Sequence, residues 1–529
     1  MCGILAFFLE YDQPICSYPT RKIIKAFELL SNRGPDSGSL TIRDRFILGF
    51  RRLAILDQST KAEQPFYSER SSLLCNGEIY NHKKLEKEYS IQCESNSDCE
   101  CIIHLSDQYG FENILPQLSG DYAIILKTNN TVFFARDPIG VRPLFYGYTR
   151  DGDFALASYA RILTEFCDVV TQVKPGWGKY DIVSGELDLY SYDHTPQLVR
   201  TIVPKLEDKV RETLVKSVES RLMSDRPIGC LLSGGLDSSL IASILCKLLG
   251  PSNVRTYSIG MKGSQDLEHA QMVAKYLGTD HTEVIFTPEE GIDAIEDVIR
   301  DLESYDITTI RASVPMWLLG KYISENTKDV VLMSGEGADE LFCGYLYFHY
   351  APTSALLAKE SIRLVQNLYL YDVLRADRCI SSHGLELRVP FLDKEMVNLC
   401  LSLSGDLKEP NIKIEKHLLR RSFSDGYLPE KVLWRRKDGM SDAVSGDSGK
   451  KWFEQIQDFV NTEITDEEFN REGGGLPSKE AYYYKNIYKR LFRRYHPEYN
   501  YWLPKWVDCG GDPSGRILDV FDATVSDSK

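Results

Sequence analysis

At 529 residues the chain exceeds the size at which one hydrophobic core keeps growing, so two or more domains are expected. Its 43% hydrophobic and 26% charged residues, with 37 Gly and 22 Pro, are ordinary globular usage and exclude collagen-like and low-complexity chains. A net charge of -15, from 62 Lys and Arg against 77 Asp and Glu, disfavours nucleic acid and anionic membranes as partners, and no apolar run reaches the ~20 residues of a membrane helix.

Residues 1–8 are apolar but lack the basic region of a secretory signal, so a cytoplasmic protein is expected. Thirteen Cys, an odd number scattered among apolar neighbours, read as free thiols of a reducing compartment. Cys93, Cys99 and Cys101 cluster near His104, but their spacing matches no zinc pattern and they read as buried thiols.

From residue 4 to about 192, short apolar segments alternate with turns. Strands are expected at 46–50, 72–75, 122–126 and 132–135, with a hairpin at Asn129-Asn130 because Asn tolerates positive φ. Helices near 20–30 and 97–109 make this half α+β, built on stacked antiparallel sheets. The polar stretch 193–197 reads as a linker. After it, an amphipathic helix at 203–222 precedes a strand at 227–232, a Gly turn and a helix at 238–249. Strand, helix and strand then follow at 254–259, 267–277 and 282–286, and a last strand at 330–333 precedes a mostly helical remainder. That alternation predicts an α/β domain with a parallel sheet. Residues 482–495 mix aromatic and basic side chains at helical spacing and read as a packing helix with a basic face, and residues 524–529 read as disordered.

The chemistry concentrates in a few stretches. Ser233-Gly234-Gly235-Leu236-Asp237-Ser238-Ser239 lies between a strand and a helix, where backbone NH groups and the helix N-terminus favour an anion, yet it lacks the ending of a Walker A loop. It resembles the pyrophosphate loop of the N-type ATP pyrophosphatases. With Ser304-Tyr305-Asp306-Ile307-Thr308-Thr309-Ile310-Arg311, Ser334-Gly335-Glu336-Gly337-Ala338-Asp339 and Glu386-Leu387-Arg388-Val389-Pro390-Phe391, it resembles the synthetase domain of the glutamine-dependent asparagine synthetases. Met1-Cys2-Gly3-Ile4, Asn32-Arg33-Gly34-Pro35-Asp36, Arg51-Arg52-Leu53-Ala54-Ile55, Cys75-Asn76-Gly77-Glu78, Ser97-Asp98-Cys99-Glu100 and Arg136-Asp137-Pro138-Ile139-Gly140-Val141-Arg142 resemble, in order, the N-terminal-nucleophile glutamine amidotransferases. The implied domains are an amidotransferase over 2–192 and a synthetase over 203–520.

The resemblance implies roles residue by residue. Cys2, exposed by removal of Met1, becomes the nucleophile with its own α-amine as base. Asn76 and Gly77 form the oxyanion hole, while Arg52, Leu53, Ile55, Asn76, Glu78 and Asp98 hold glutamine. Leu232, Ser233, Gly234, Gly235, Asp237, Ser238, Ile259, Ser334, Gly335 and Lys437 bind ATP and pyrophosphate, and Asp237 and Asp339 organise Mg²⁺. Glu336 positions ammonia or takes its proton, and Arg311 and Arg388 clamp carboxylate or phosphate. Expected substrates are aspartate, glutamine and ATP, with no nucleic acid or membrane partner; a homodimer is compatible with this reading. Two departures stand out: Asn32 replaces the family's His, and Asp438-Gly439-Met440 separates Lys437 from Ser441-Asp442 in an unusual way.

Overall fold

The computed structural model describes residues 1–9, 20–43, 45–410, 414–436, 444–446, 449–492, 494–495 and 501–509. Lys437, the Asp438-Gly439-Met440 departure and the tail 524–529 lie outside the described residues.

Two six-stranded sheets build the first half. One runs, in spatial order, Val169–Gln172, Phe145–Tyr148, Phe154–Ala157, Gly3–Phe8, Phe46–Arg52, Ser37–Arg43; the other runs Leu187–Ser191, Gly176–Asp181, Thr131–Arg136, Gly120–Lys127, Ser72–Ile79, Phe66–Tyr67. All pairings in both are antiparallel. The strand Gly3–Phe8 is buried on both faces, and its period-2 alternation divides the labour. Ile4, Ala6 and Phe8 pack between the sheets with Leu74, Ala123, Ile125 and Phe134. Leu5 and Phe7 face the other way, into a core that also contains Leu240, Ile310, Val373 and Tyr488. The two halves of the chain therefore share one continuous apolar core.

The second half carries a parallel sheet in the order Asp280–Ile285, Arg255–Gly260, Ile228–Leu231, Val331–Met333, Glu386–Arg388. Order reverses beside Ile228–Leu231, the place where open α/β sheets leave a crevice at their strand ends. The helices Leu206–Ser220, Leu236–Leu249 and Gln265–Leu277 fall on the expected periodic segments, whereas the 20-residue helix Ile307–Asn326, which carries Arg311, was not expected.

Three local expectations differ. The helix expected from 97 is Cys101–Tyr109, because Ser95 Oγ and Ser97 Oγ accept from the NH groups of Ser97 and Cys99 and hold the preceding residues in turns. A short helix, His82–Glu88, was not expected. The 127–132 hairpin forms, but neither Asn129 nor Asn130 has positive φ; a wider loop closes through Thr128 N and Oγ1 donating to Thr131 O at 2.8 and 3.0 Å.

Candidate active sites

The first site gathers at the ends of Gly3–Phe8, Phe46–Arg52 and Ser72–Ile79. The Cys2 thiol donates to Leu53 O at 3.8 Å, and burial pushes it up to about 11 against the pull of the Met1 amine. Burial in turn lowers that amine to about 6. Asn76 is fully buried, yet neither atom of its side-chain amide has a hydrogen-bond partner among the described residues. A buried amide left open costs free energy and implies a visiting group. Gly77 follows because a Cβ there would lie 2.1 Å from Asp121 O, so no other residue lets the two strands approach.

The remaining glutamine-site candidates frame this corner. Asp98 Oδ2 accepts from Ile79 N at 2.6 Å, and Cys99 Sγ donates to Gly77 O at 3.5 Å, which ties the 95–100 turn to the strand. Burial raises the pKa of Asp98, and burial with the nearby Glu386 raises that of Glu78 well above the carboxylate range. Leu53 and Ile55 are buried. Arg52 donates to Ser59 O at 2.9 Å, to Asp57 O and to Glu63 Oε1 at 3.3 Å, so its guanidinium folds the 56–63 loop around itself.

The second site is a cavity of about 300 Å³ at the strand ends of the parallel sheet. Leu232, Ser233, Gly235, Asp237, Ser238, Ile259, Ser334, Gly335, Glu336, Asp339 and Arg311 all line it. Gly234 does not; its φ of +73° and the backbone of His269 and Ala270, 2.4 to 2.6 Å from a would-be Cβ, make it the turn that aims the loop. Ser238 Oγ accepts from Ser233 N at 3.1 Å and lies 3.0 Å from Ser233 Oγ, and no side chain caps the helix that begins at Leu236. That end keeps its anion-binding character.

Lys416 Nζ bridges Asp237 Oδ2 and Asp339 Oδ1, the latter at 2.7 Å. Burial works against its charge, but the two carboxylates together hold its pKa above the usual lysine value. Arg375 does the same for a second acidic pair, donating to Glu336 Oε2 at 2.8 Å and pairing with Asp372 at 2.8 Å. Burial still raises the pKa of Glu336, with Asp372 and Asp339 adding to it. Sequence reasoning missed Lys416 and Arg375. Each sits some forty or more residues from the motif it serves, and nothing in its local spacing points there.

The arginines resolve differently from expectation. Arg311 lines the cavity, with Nε and Nη2 bound to Glu480 at 2.8 and 2.6 Å. Arg388 is a correction: it does not line the cavity, because its fully buried guanidinium is consumed between the halves. It donates to Glu386 Oε1 at 2.8 Å and to Arg221 O and Met223 O at 2.6 and 2.7 Å, and it pairs with Glu78 at 3.3 Å. Its own carbonyl accepts from Ser334 N at 3.0 Å. One residue thus touches both candidate sites.

Buried ion pairs join the halves on either side of that residue. Arg33, from Asn32-Arg33-Gly34, donates to Cys2 O at 2.8 Å and to Asp377 Oδ2 at 2.7 Å; Arg142 reaches Asp377 at 3.3 Å and Glu386 at 3.8 Å. Burial opposes the Glu386 charge, but Arg388, Arg142 and the terminal amine together hold its pKa below the usual range.

The chain matches the asparagine synthase family over residues 209–363 and 352–507 and the glutamine amidotransferase domain over residues 1–180. It is 40% identical to a glutamine-hydrolysing asparagine synthetase of Mus musculus, covering 99% of this chain and 100% of that protein. The proteins of the same name from Homo sapiens and Gallus gallus are each 39% identical, covering at least 99% of this chain and 100% of theirs.

Proposed function

The chain belongs to the glutamine-hydrolysing asparagine synthetases, and from that premise we propose how its own residues divide the work. It amidates aspartate to asparagine at the expense of ATP, with nitrogen drawn from glutamine. Residues 2–192 act as the amidotransferase and 203–520 as the synthetase.

In the first site, removal of Met1 leaves Cys2 with a free α-amine. That amine takes the thiol proton, and the thiolate attacks the glutamine side-chain amide. The open Asn76 amide and Gly77 NH receive the charge developing on the carbonyl oxygen, an interaction typically worth ~3 kcal/mol per donor. Ammonia leaves, and water releases glutamate from the thioester. Arg52 and Asp98, with Glu78, hold the carboxylate and amino ends of glutamine; for Arg52 this requires exchanging loop carbonyls for the carboxylate.

In the second site, the loop at Ser233 to Ser238 with Ser334 and Gly335 receives the ATP phosphates, and Ile259 packs beside the nucleotide. Asp237 and Asp339, hard oxygen donors already drawn to one cation by Lys416, fit Mg²⁺, which would neutralise phosphate charge there. Lys416 then turns to the pyrophosphate. The aspartate side chain is activated as β-aspartyl-AMP, pyrophosphate leaves, and ammonia displaces AMP. Glu336, with its raised pKa, takes a proton from the incoming nitrogen. Arg311 stays a candidate contact for substrate carboxylate, and Lys437 for pyrophosphate.

The observation that carries this reading is Arg388, whose side chain meets Glu78 and whose carbonyl meets Ser334. The test is one incubation with ATP, Mg²⁺, aspartate and amide-labelled glutamine. Labelled asparagine with AMP and pyrophosphate is expected; glutamate without labelled asparagine overturns the coupled reading. Cytosolic placement is supported by the twelve described free thiols. Homodimer assembly, also proposed, is tested by light scattering.

A further inference from the structure

Behind the glutamine corner lies a cluster that the reaction does not use. Cys93 Sγ, a Glu100 carboxylate oxygen and a ring nitrogen of His104 lie within 4.8 Å of one another. Glu100 immediately precedes the helix Cys101–Tyr109, and His104 sits one turn on, so both side chains rise on the same face. Glu100 Oε1 lies 3.4 Å from His104 Nε2. The carboxylate is already fixed in place: Oε1 accepts from Glu94 N at 2.7 Å, and Oε2 accepts both from Ser95 N at 2.8 Å and from Ser95 Oγ. Oε2 is thereby filled, and Oε1 keeps one lone pair, on the side that faces His104.

Capping the 94–95 turn requires neither the thiol nor the imidazole. Their convergence on a carboxylate is what needs explaining. Two carboxylates, Glu100 and Glu86, act on the half-buried Cys93 sulfur against the opposing charge of Lys83, a surrounding that favours an added cation.

We propose that Cys93, Glu100 and His104 form a three-ligand site for a borderline divalent cation, Zn²⁺ foremost, with water in the fourth position. Sulfur, nitrogen and carboxylate oxygen are the ligand set zinc takes, and its bond lengths place tetrahedral donors about 3.5 Å apart. Shortening separations of up to 4.8 Å to that spacing would fall to rotation about the Cys93 side chain. On binding, the Cys93 S–H proton passes to solvent as the S–metal bond forms, and Nε2 presents its lone pair with the ring proton on Nδ1. The sequence conceals the site because the spacing of Cys93, Cys99 and Cys101 matches no zinc pattern, and Glu100 supplies the third ligand instead. The bound cation would stitch the 93–100 segment to the helix behind Asp98.

The test uses the full chain, stripped with chelator and desalted, in a Cys2→Ala background that removes the catalytic thiol. Titration with Co²⁺ should give one equivalent of a thiolate-to-cobalt charge-transfer band, displaced by Zn²⁺, and Zn²⁺ should raise the thermal midpoint. Cys93→Ser should abolish the band. His104→Ala, a change at a partly exposed position, should weaken cobalt binding at least about tenfold. Ammonia-dependent synthesis in each variant reports that it is folded. A chain that gives no band, or one that persists unchanged in a folded Cys93→Ser variant, overturns the proposal.

Discussion

The two candidate sites prepare for their substrates in opposite ways. At the glutamine corner the key donor is unspent: Asn76 is sealed in the interior with its amide open. At the synthetase cavity the key acids are occupied, Asp237 and Asp339 by Lys416 and Glu336 by Arg375. The difference follows from charge. A neutral amide can wait unpaired at a cost of about 1–3 kcal/mol, whereas clustered carboxylates deprived of water need a resident cation until phosphate and metal arrive.

The sharpest way to separate the sites is Cys2→Ala. Glutamine-dependent synthesis should fall by at least about a thousandfold while ammonia-dependent synthesis is retained, measured side by side as asparagine formed. Loss of both rates would contradict two independent chemistries. Next is Asn76→Ala, which should lower kcat for glutamate release about 10²- to 10³-fold with a smaller change in KM. A rise in KM with kcat unchanged would mean the open amide binds glutamine and not the developing oxyanion.

Lys416→Ala inverts the comparison by emptying the occupied site. Pyrophosphate release should drop about ten- to a hundredfold with glutaminase rate preserved, since a charge-assisted contact is worth roughly 1.5–3 kcal/mol. Unchanged pyrophosphate release would reduce Lys416 to a structural counter-ion. A test that leaves both activities untouched concerns the thiol while Met1 is retained. Its pKa of about 11 makes the thiolate the minor species at neutrality, so alkylation of Cys2 should accelerate about tenfold per pH unit from pH ~7 upward and flatten near that value. A plateau near neutrality would mean burial does not control the thiol.

Much of this was legible because the informative stretches are contiguous. The Ser233 to Ser239 loop and the Cys75-Asn76-Gly77-Glu78 strand end carry their chemistry in adjacent residues, whereas the strand Gly3–Phe8, apolar at every position, shows its two-layer placement only in the packing. What escaped depends on distance through space. Arg388 looked like a substrate clamp because a buried ion pair and a ligand site ask for the same residue type; only packing shows Glu78 and Glu386 already there. Arg136-Asp137 in its motif is likewise architectural. Asp137 Oδ1 accepts from the NH groups of Ile139, Gly140 and Val141, and Arg136 binds three carbonyls, so the motif folds a loop that delivers Arg142 to the junction.

The pair Arg33–Asp377 spans 344 positions of chain. At ribosomal rates of about 5–20 residues per second, the first half waits roughly 20–70 s after Arg33 is made before its counter-ion exists. During that interval Arg33 and Arg142 are cations without their interior anions, and Leu5 and Phe7 face a core whose other wall has not been synthesised. The amidotransferase half therefore emerges as a nascent intermediate that must keep this face solvated or chaperoned, and a chain truncated before residue 377 should enter the insoluble fraction.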